Sequence, residues 1–415
     1  MSIGVGRAHL ICEIDSFPLV TCRKLKWEII VVKIGEKGDF MLVAHDENQQ
    51  LIILQRQFSR DELQVLKKQH QFFCPQCNEP LQLKIGQIRI PHFAHLQHSE
   101  CDNLFSERES EAHLLGKQQL YEWFERLELA PILEPYLPQI QQRPDLLITY
   151  QKRLFAIEFQ CSPLPLELFT ARTKGYLDAE ITPIWIVKNS FERLKDNGVQ
   201  KIKINYMMSQ YLLHNQGQCY LMTYDVKQEM FFYMSNLTHL KKTQYLGQVH
   251  RLPLKQQQFP FLIPSKISRQ KFEQFFLQML QFRDDYMHPR LLLSKRGVND
   301  RFLFALYELR LTVNQLPIFI GIPVRNANAF DEFCVEWQVQ LFYFLKCHEL
   351  TPQTMNANAI PYFFEWASFA MTMERKIEVT YYLSLLKRLT IQDATDHLEK
   401  KHLIEVLYDE LVAIG

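Results

Sequence analysis

Pro144-Asp145-Leu146-Leu147-Ile148-Thr149-Tyr150 and Arg153-Leu154-Phe155-Ala156-Ile157-Glu158-Phe159-Gln160, joined by Gln151-Lys152, decide the fold. Two apolar-rich runs separated by two residues read as a β-hairpin. Antiparallel pairing then matches positions that sum to 303, which sets Asp145 across from Glu158. Period-two alternation carries Leu146, Ile148, Phe155, Ile157 and Phe159 to the opposite, buried face and sets Gln160 beside Glu158. Cross-strand Cβ atoms lie about 4.5 to 5.5 Å apart, where two carboxylates repel unless a divalent cation stands between them. The pair predicts a metal-dependent phosphodiesterase site.

Around this hairpin the order is αβββαβ. A helix from Glu107 to about Leu127 opens on Ser106-Glu107-Arg108-Glu109, a capping-box pattern. Its apolar face holds Leu120, Phe124 and Leu127, and stepping back by helical spacing reaches Lys117, His113 and Glu109. Polar groups on a packing face need a partner, and the hairpin carboxylates supply one; the competing reading is an exposed i,i+4 series. Strands follow at Ile132 to Tyr136 and in the hairpin, then a helix at Leu164 to Asp178 and a strand at Thr182 to Val187. Arg172 and Tyr176 share a face of that second helix as a phosphate contact or, equally, as a surface pair. This order resembles the core of restriction-endonuclease-like nucleases, whose signature is Pro-Asp, a spacer and Glu-x-Lys. Here Gln160 stands where that pattern has lysine.

The 415 residues, 47% apolar, suffice for two to three domains. Lys plus Arg total 47 against 46 Asp plus Glu, so affinity for nucleic acid requires a local basic patch. Nine cysteines over this length do not make a disulfide framework, which points to a reducing, cytoplasmic setting. No run of 18 apolar residues and no signal-peptide pattern occur.

Residues 1–39 hold a strand-like segment at Trp27 to Ile34, but Lys37-Gly38-Asp39 can be encoded by a bacterial ribosome-binding sequence placed ahead of Met41. The expectation is a misplaced start, with a genuine extension as the alternative. Residues 40–104 read as a small β-rich module with a hairpin around Asp46-Glu47-Asn48. Cys74-Pro75-Gln76-Cys77 presents two thiolates to one ion, and tetrahedral zinc needs two more ligands from His92, His95, His98 and Cys101. His95 and Cys101 are the first choices, while His92 either ligates, packs or faces nucleic acid. A redox pair fits less well without a βαβ context.

Cys74-Pro75-Gln76-Cys77, His92-Phe93-Ala94-His95, Glu109 to His113 with Lys117, Pro144-Asp145, Glu158-Phe159-Gln160, Arg172 with Tyr176, and Ile184-Trp185-Ile186-Val187 together resemble the competence protein CoiA family over residues 41–190. The resemblance implies a nuclease-like core at 105–190, behind a zinc-finger-like module, that acts on incoming DNA during natural transformation and recombination. Its expected partners are DNA, single-stranded or branched, and recombination proteins. Asp145, Glu158 and the Phe159 main-chain carbonyl are expected to hold Mg²⁺ or Mn²⁺. Gln160 orients water without supplying charge, and Lys117 is the candidate source of the missing cation. Two further readings stay open: a nuclease-fold protein that binds DNA or a recombinase without cutting, and a zinc-organised interaction scaffold.

Residues 191–415 read as mostly helical, with helices at Arg269 to Met287, Asp300 to Asn314, Asp331 to His348, Ile377 to Leu389 and Asp396 to Val412. Arg283, His288, Arg290, Lys295, Arg296 and Arg301 form either a DNA track or a solvated loop.

Overall fold

The structure, a computed structural model, describes residues 40–87, 89–96, 110–191, 194, 197–215, 218–295, 299–324 and 329–413. The expected N-terminal extension, Cys101, His98, Glu109 and Arg296 lie outside them.

The N-terminal module contains β1 (Phe40–Met41), β2 (Val43–His45), β3 (Leu51–Ile53), α1 (Arg60–Gln69), β4 (Phe72–Phe73), β5 (Pro80–Lys84) and β6 (His92–His95). Its strands form one antiparallel sheet in the order β1-β6-β5-β4-β2-β3. Asp46 closes the β2–β3 turn by accepting the N–H groups of Asn48 and Gln50, each at 2.8 Å. A reciprocal Ser59–Glu62 capping box starts α1.

The core follows with α2 (Glu111–Arg126), β7 (Ile132–Leu133), β8 (Leu146–Tyr150), β9 (Arg153–Gln160), α3 (Leu166–Asp178) and β10 (Ile181–Lys188), the αβββαβ order expected. Helix α2 runs from Glu111, with Ser110 as its cap accepting the His113 N–H at 3.2 Å, and the expected capping box at Ser106 to Glu109 lies outside the described residues. Gln151 (φ 50°) and Lys152 (φ 65°) both adopt left-handed backbone, as a two-residue hairpin matched to strand twist demands. Leu146 pairs Ile157 and Ile148 pairs Phe155, the register read from the sequence. Leu146, Ile148, Phe155, Ile157 and Phe159 share a core with Leu120 and Phe124 of α2. A Cβ at Gly116 would stand 2.1 Å from the Phe159 ring, so glycine lets the helix settle on the sheet. The other face packs Leu147, Ala156 and Ile181 against Tyr176 of α3.

The sheet does not stop near residue 190. It continues through β11 (Gly198–Lys203), the short α4 (Tyr206–Ser209), β12 (Leu213–Asn215), β13 (Gln218–Asp225), β14 (Met230–Lys241) and β15 (Gln244–Pro253). The strand order becomes β11-β15-β14-β13-β10-β9-β8-β7, with β12 paired to β13. The mostly helical reading of residues 191–415 is thus corrected for 198–253. Phe231, Phe232, Tyr233 and Met234 are all buried, so the strand is covered on both faces and shows no polar alternation.

Helices begin at α5 (Arg269–Leu292), followed by α6 (Arg301–Glu308), α7 (Cys334–Cys347), α8 (Ala359–Trp366), α9 (Met373–Arg388) and α10 (Lys400–Tyr408). Phe272, Phe275, Phe276 and Met279 of α5 are buried in this core, which also takes in Leu240 and Leu246 of the sheet. The basic stretch after residue 283 is not a loop as far as Leu292, where it belongs to α5, and three of its arginines are engaged within the fold. Arg283 is buried and donates to the Pro317 and Ile320 carbonyls at 3.1 and 2.7 Å, Arg290 pairs with Asp300 and Glu336, and Arg301 bonds the Trp366 carbonyl. Among the described residues no helix is long and apolar enough to cross a membrane.

Candidate active site

Asp145 stands one residue ahead of β8, where the chain leaves the pleat and its carboxylate turns toward α2. Its Oδ2 accepts the Phe159 N–H at 2.7 Å and lies 3.0 Å from His113 Nε2, while Lys117 Nζ lies 3.9 Å from Oδ1. Burial raises the carboxyl, but His113, Lys117 and the Phe159 N–H more than reverse this and hold it well below the ordinary range. Asp145 is therefore a buried, ionised carboxylate with one cationic side.

Glu158 follows Ile157, the last residue of β9 paired with β8, and its partners sit on the opposite layer, so the two carboxylates turn to different helices instead of sharing one face as expected. Its Oε1 accepts from both the Arg172 guanidinium and the Tyr176 hydroxyl. Arg172 also reaches the Tyr176 oxygen at 3.4 Å and the Arg143 carbonyl at 3.5 Å, and stacks over Trp185. Burial, reinforced by Asp145, outweighs Arg172 and pushes the Glu158 carboxyl up to about 7. Arg172 and Tyr176, expected at phosphate or on the surface, are instead buried and close on Glu158. The reason is alternation: Glu158 shares the α3 face with Ala156, whereas Phe159 faces α2.

Of the expected site residues, the fold thus brings His113 and Lys117 to Asp145, and Arg172 and Tyr176 to Glu158. Gln160 is buried and donates to the Ser162 carbonyl at 2.6 Å.

Sequence reading missed Glu134. This buried residue follows β7 with φ 49°, ion-pairs with the fully buried Lys117, and accepts the Leu42 N–H of the N-terminal module at 3.1 Å. Its only sequence signal is an acid between two short apolar segments.

In the N-terminal module, the ligand atoms of Cys74, Cys77 and His95 lie within 4.8 Å of one another, with Cys77 Sγ 3.3 Å from His95 Nε2. The Gln76 N–H points to Cys74 Sγ at 3.4 Å, and Asn78 (φ 59°) turns the chain back. Two sulfurs and an imidazole fit a zinc ion with one further ligand to come. His92 does not join them. An odd spacing on β6 puts it on the other face from His95, where it is buried, bonds the Ile90 carbonyl at 2.8 Å and packs on Phe40.

Residues 109–267 match the family model described as Competence protein CoiA, nuclease-like domain, and residues 55–104 match Competence protein CoiA, N-terminal domain. The chain is 31% identical over 281 residues to Competence protein CoiA of Bacillus subtilis (strain 168), covering 67% of this chain and 73% of that protein. No solved structure matches the chain. The nuclease-like match contains every residue gathered around Asp145 and Glu158 except Leu42, and it ends just ahead of α5. With these matches, the motifs around the two carboxylates have a family context, and the chain belongs to the competence protein CoiA family.

Proposed function

We propose that this protein is a metal-dependent deoxyribonuclease that processes incoming DNA in the cytoplasm during natural transformation and recombination. The observation that carries this reading is Asp145, an ionised buried carboxylate with Lys117 beside it and its Oδ2 bonded to the amide of Phe159, the residue after Glu158. Asp145, Glu158 and the Phe159 main-chain carbonyl are the groups that would hold Mg²⁺ or Mn²⁺, and their hard oxygen donors suit such ions. When bound, the ion polarises a phosphate oxygen and acidifies a water. Arg172 and Tyr176 occupy Glu158 Oε1, so an ion held at that oxygen would displace them. Lys117 brings to Asp145 the positive charge that Gln160 lacks, and His113 fixes the carboxylate orientation. Cys74, Cys77 and His95 hold a structural zinc in the adjoining module, completed by Cys101 in this reading.

A second reading, a protein of this fold that binds DNA or a recombination partner without cutting, is favoured by the Glu158–Arg172 pairing. Labelled single- and double-stranded DNA incubated with Mg²⁺ or Mn²⁺ separates the two. Metal-dependent cleavage by the wild type, reduced at least ~10²-fold in Asp145→Asn, supports the nuclease. Binding without cleavage in either protein supports the second reading.

A further inference from the structure

On the face of the large sheet that meets the helical region, the register sets Lys203 of β11, Gln244 of β15 and Lys241 of β14 side by side. Neighbouring strands lie about 4.8 Å apart, so the two lysine Cα atoms stand roughly 10 Å apart. Lys201 shares that face two residues back, where Val199 and Leu246 pack against the helical core. Lys242 follows at the hairpin turn, its N–H bonded to the Asp331 carbonyl at 2.6 Å. Lys201, Lys203 and Lys242 are exposed, and Lys241 is half-buried.

Helix α5 walls one side of this row. Lys201 Nζ lies 3.9 Å from the Phe282 ring centre and Lys241 Nζ 4.6 Å from that of Tyr286, one helical turn further on. None of the four lysines forms an ion pair among the described residues. The facing carboxylate, Glu336, is already engaged by Tyr286 and Arg290. Burial, then repulsion from Lys201 and Lys242, lowers the Lys241 pKa against a weaker pull from Glu336. Four like charges with no ion-pair partner among the described residues repel one another and gain by meeting a polyanion.

We propose that Lys201, Lys203, Lys241 and Lys242, at the seam between sheet and helices, form a track for the sugar–phosphate backbone of DNA. A row of point charges with Gln244 as a neutral donor between them suits successive phosphates better than a single anionic headgroup. The choice of DNA rests on the function proposed above. The track itself is remote from the carboxylates: Gln160 aligns through Val187 and Thr223 with Phe232, and β14 runs from there to Lys241, about 30 Å along the strand.

The test is fluorescence anisotropy of a labelled single strand and its duplex with the full chain, in EDTA, across a salt series. Replacing all four lysines by glutamine should lower the salt slope on single strands by about 3 and the affinity roughly 100-fold at ~0.15 M salt. Lys203→Gln with Lys242→Gln, which removes no aromatic contact, should give about half the change in slope. An unchanged slope in that folded double variant, absence of DNA binding by the wild type, or a loss confined to phosphatidylglycerol vesicles overturns the track. Cleavage with Mn²⁺ is followed in parallel. A reduced slope in the variants with no cleavage by the wild type sinks the nuclease alone, and cleavage with an unchanged slope sinks the track alone.

Discussion

Replacing Arg172 by methionine should unfold the core far more readily than its position on a helix suggests. Arg172 and Glu158 are 7% and 3% exposed, and the guanidinium is the one cation bonded to that carboxylate among the described residues. Tyr176 would remain as a hydrogen-bond donor, but a neutral hydroxyl does not balance a buried charge. Removing one partner of a buried pair costs about 3–5 kcal/mol. With a urea slope of about 3 kcal/mol/M, the unfolding midpoint of Arg172→Met should fall by about 1 to 1.7 M. Equilibrium unfolding followed by tryptophan fluorescence at pH 8 reads this directly. Adding Glu158→Gln removes the stranded charge and keeps an acceptor for Tyr176, so the double variant should recover at least about 2 kcal/mol. A single variant within about 1 kcal/mol of wild type, or a double variant no better than the single, refutes the argument that Arg172 neutralises Glu158.

Lys117→Ala should abolish metal-dependent DNA cleavage if that lysine supplies the charge Gln160 lacks, and a folded Lys117→Ala protein with full activity removes that role. Glu378 is buried, accepts the Ala329 N–H at 3.2 Å, and is pushed up to about 7 by burial against the pull of Ala329, Trp337 and Arg375. The folded state therefore binds the extra proton between pH ~4.5 and ~7, so this group's stabilising contribution is present below that window and is lost as pH rises through it, by up to ~3 kcal/mol. Glu378→Gln should accordingly melt higher than wild type at pH 8 and equally at pH 4.5, and parallel melting curves across that range would contradict the assignment. Purified protein should contain about one zinc per chain by elemental analysis, and Cys77→Ala should lose it together with thermal stability; equal zinc in both proteins removes Cys77 from the site.

The hairpin was legible because its information is local. Two residues between two apolar runs leave one register, which the strands keep from Tyr150–Arg153 to Leu146–Ile157; beyond it Asp145 turns to α2 and Glu158 to α3. Helical spacing likewise led from Leu120 and Phe124 back to Lys117 and His113. What spacing could not show is which layer satisfies each side chain. Glu158 meets α3 because Arg172 and Tyr176 lie 14 and 18 residues downstream, and Arg290 meets Glu336 across 46 residues. Such pairings follow from tertiary arrangement, so Arg290 looked from its neighbours like a solvated cation. Strands β13 to β15 were missed for a related reason: a strand covered on both sides presents a continuous apolar run. Glu134 was invisible because the Lys117 and Leu42 groups that make it meaningful sit 17 and 92 positions away.

Glu134 also bears on how the chain can be divided. One of its oxygens belongs to the Lys117 pair and the other to the amide of Leu42, and Met41 to Ala44 share a continuous apolar interior with Leu120, Phe124 and Ile157. A fragment beginning at residue 109 would strip half the bonds from that acid and wet one wall of the lysine's burial site. The N-terminal module and the core are therefore welded into a single folding unit, and damage to the first sheet should be felt at Asp145.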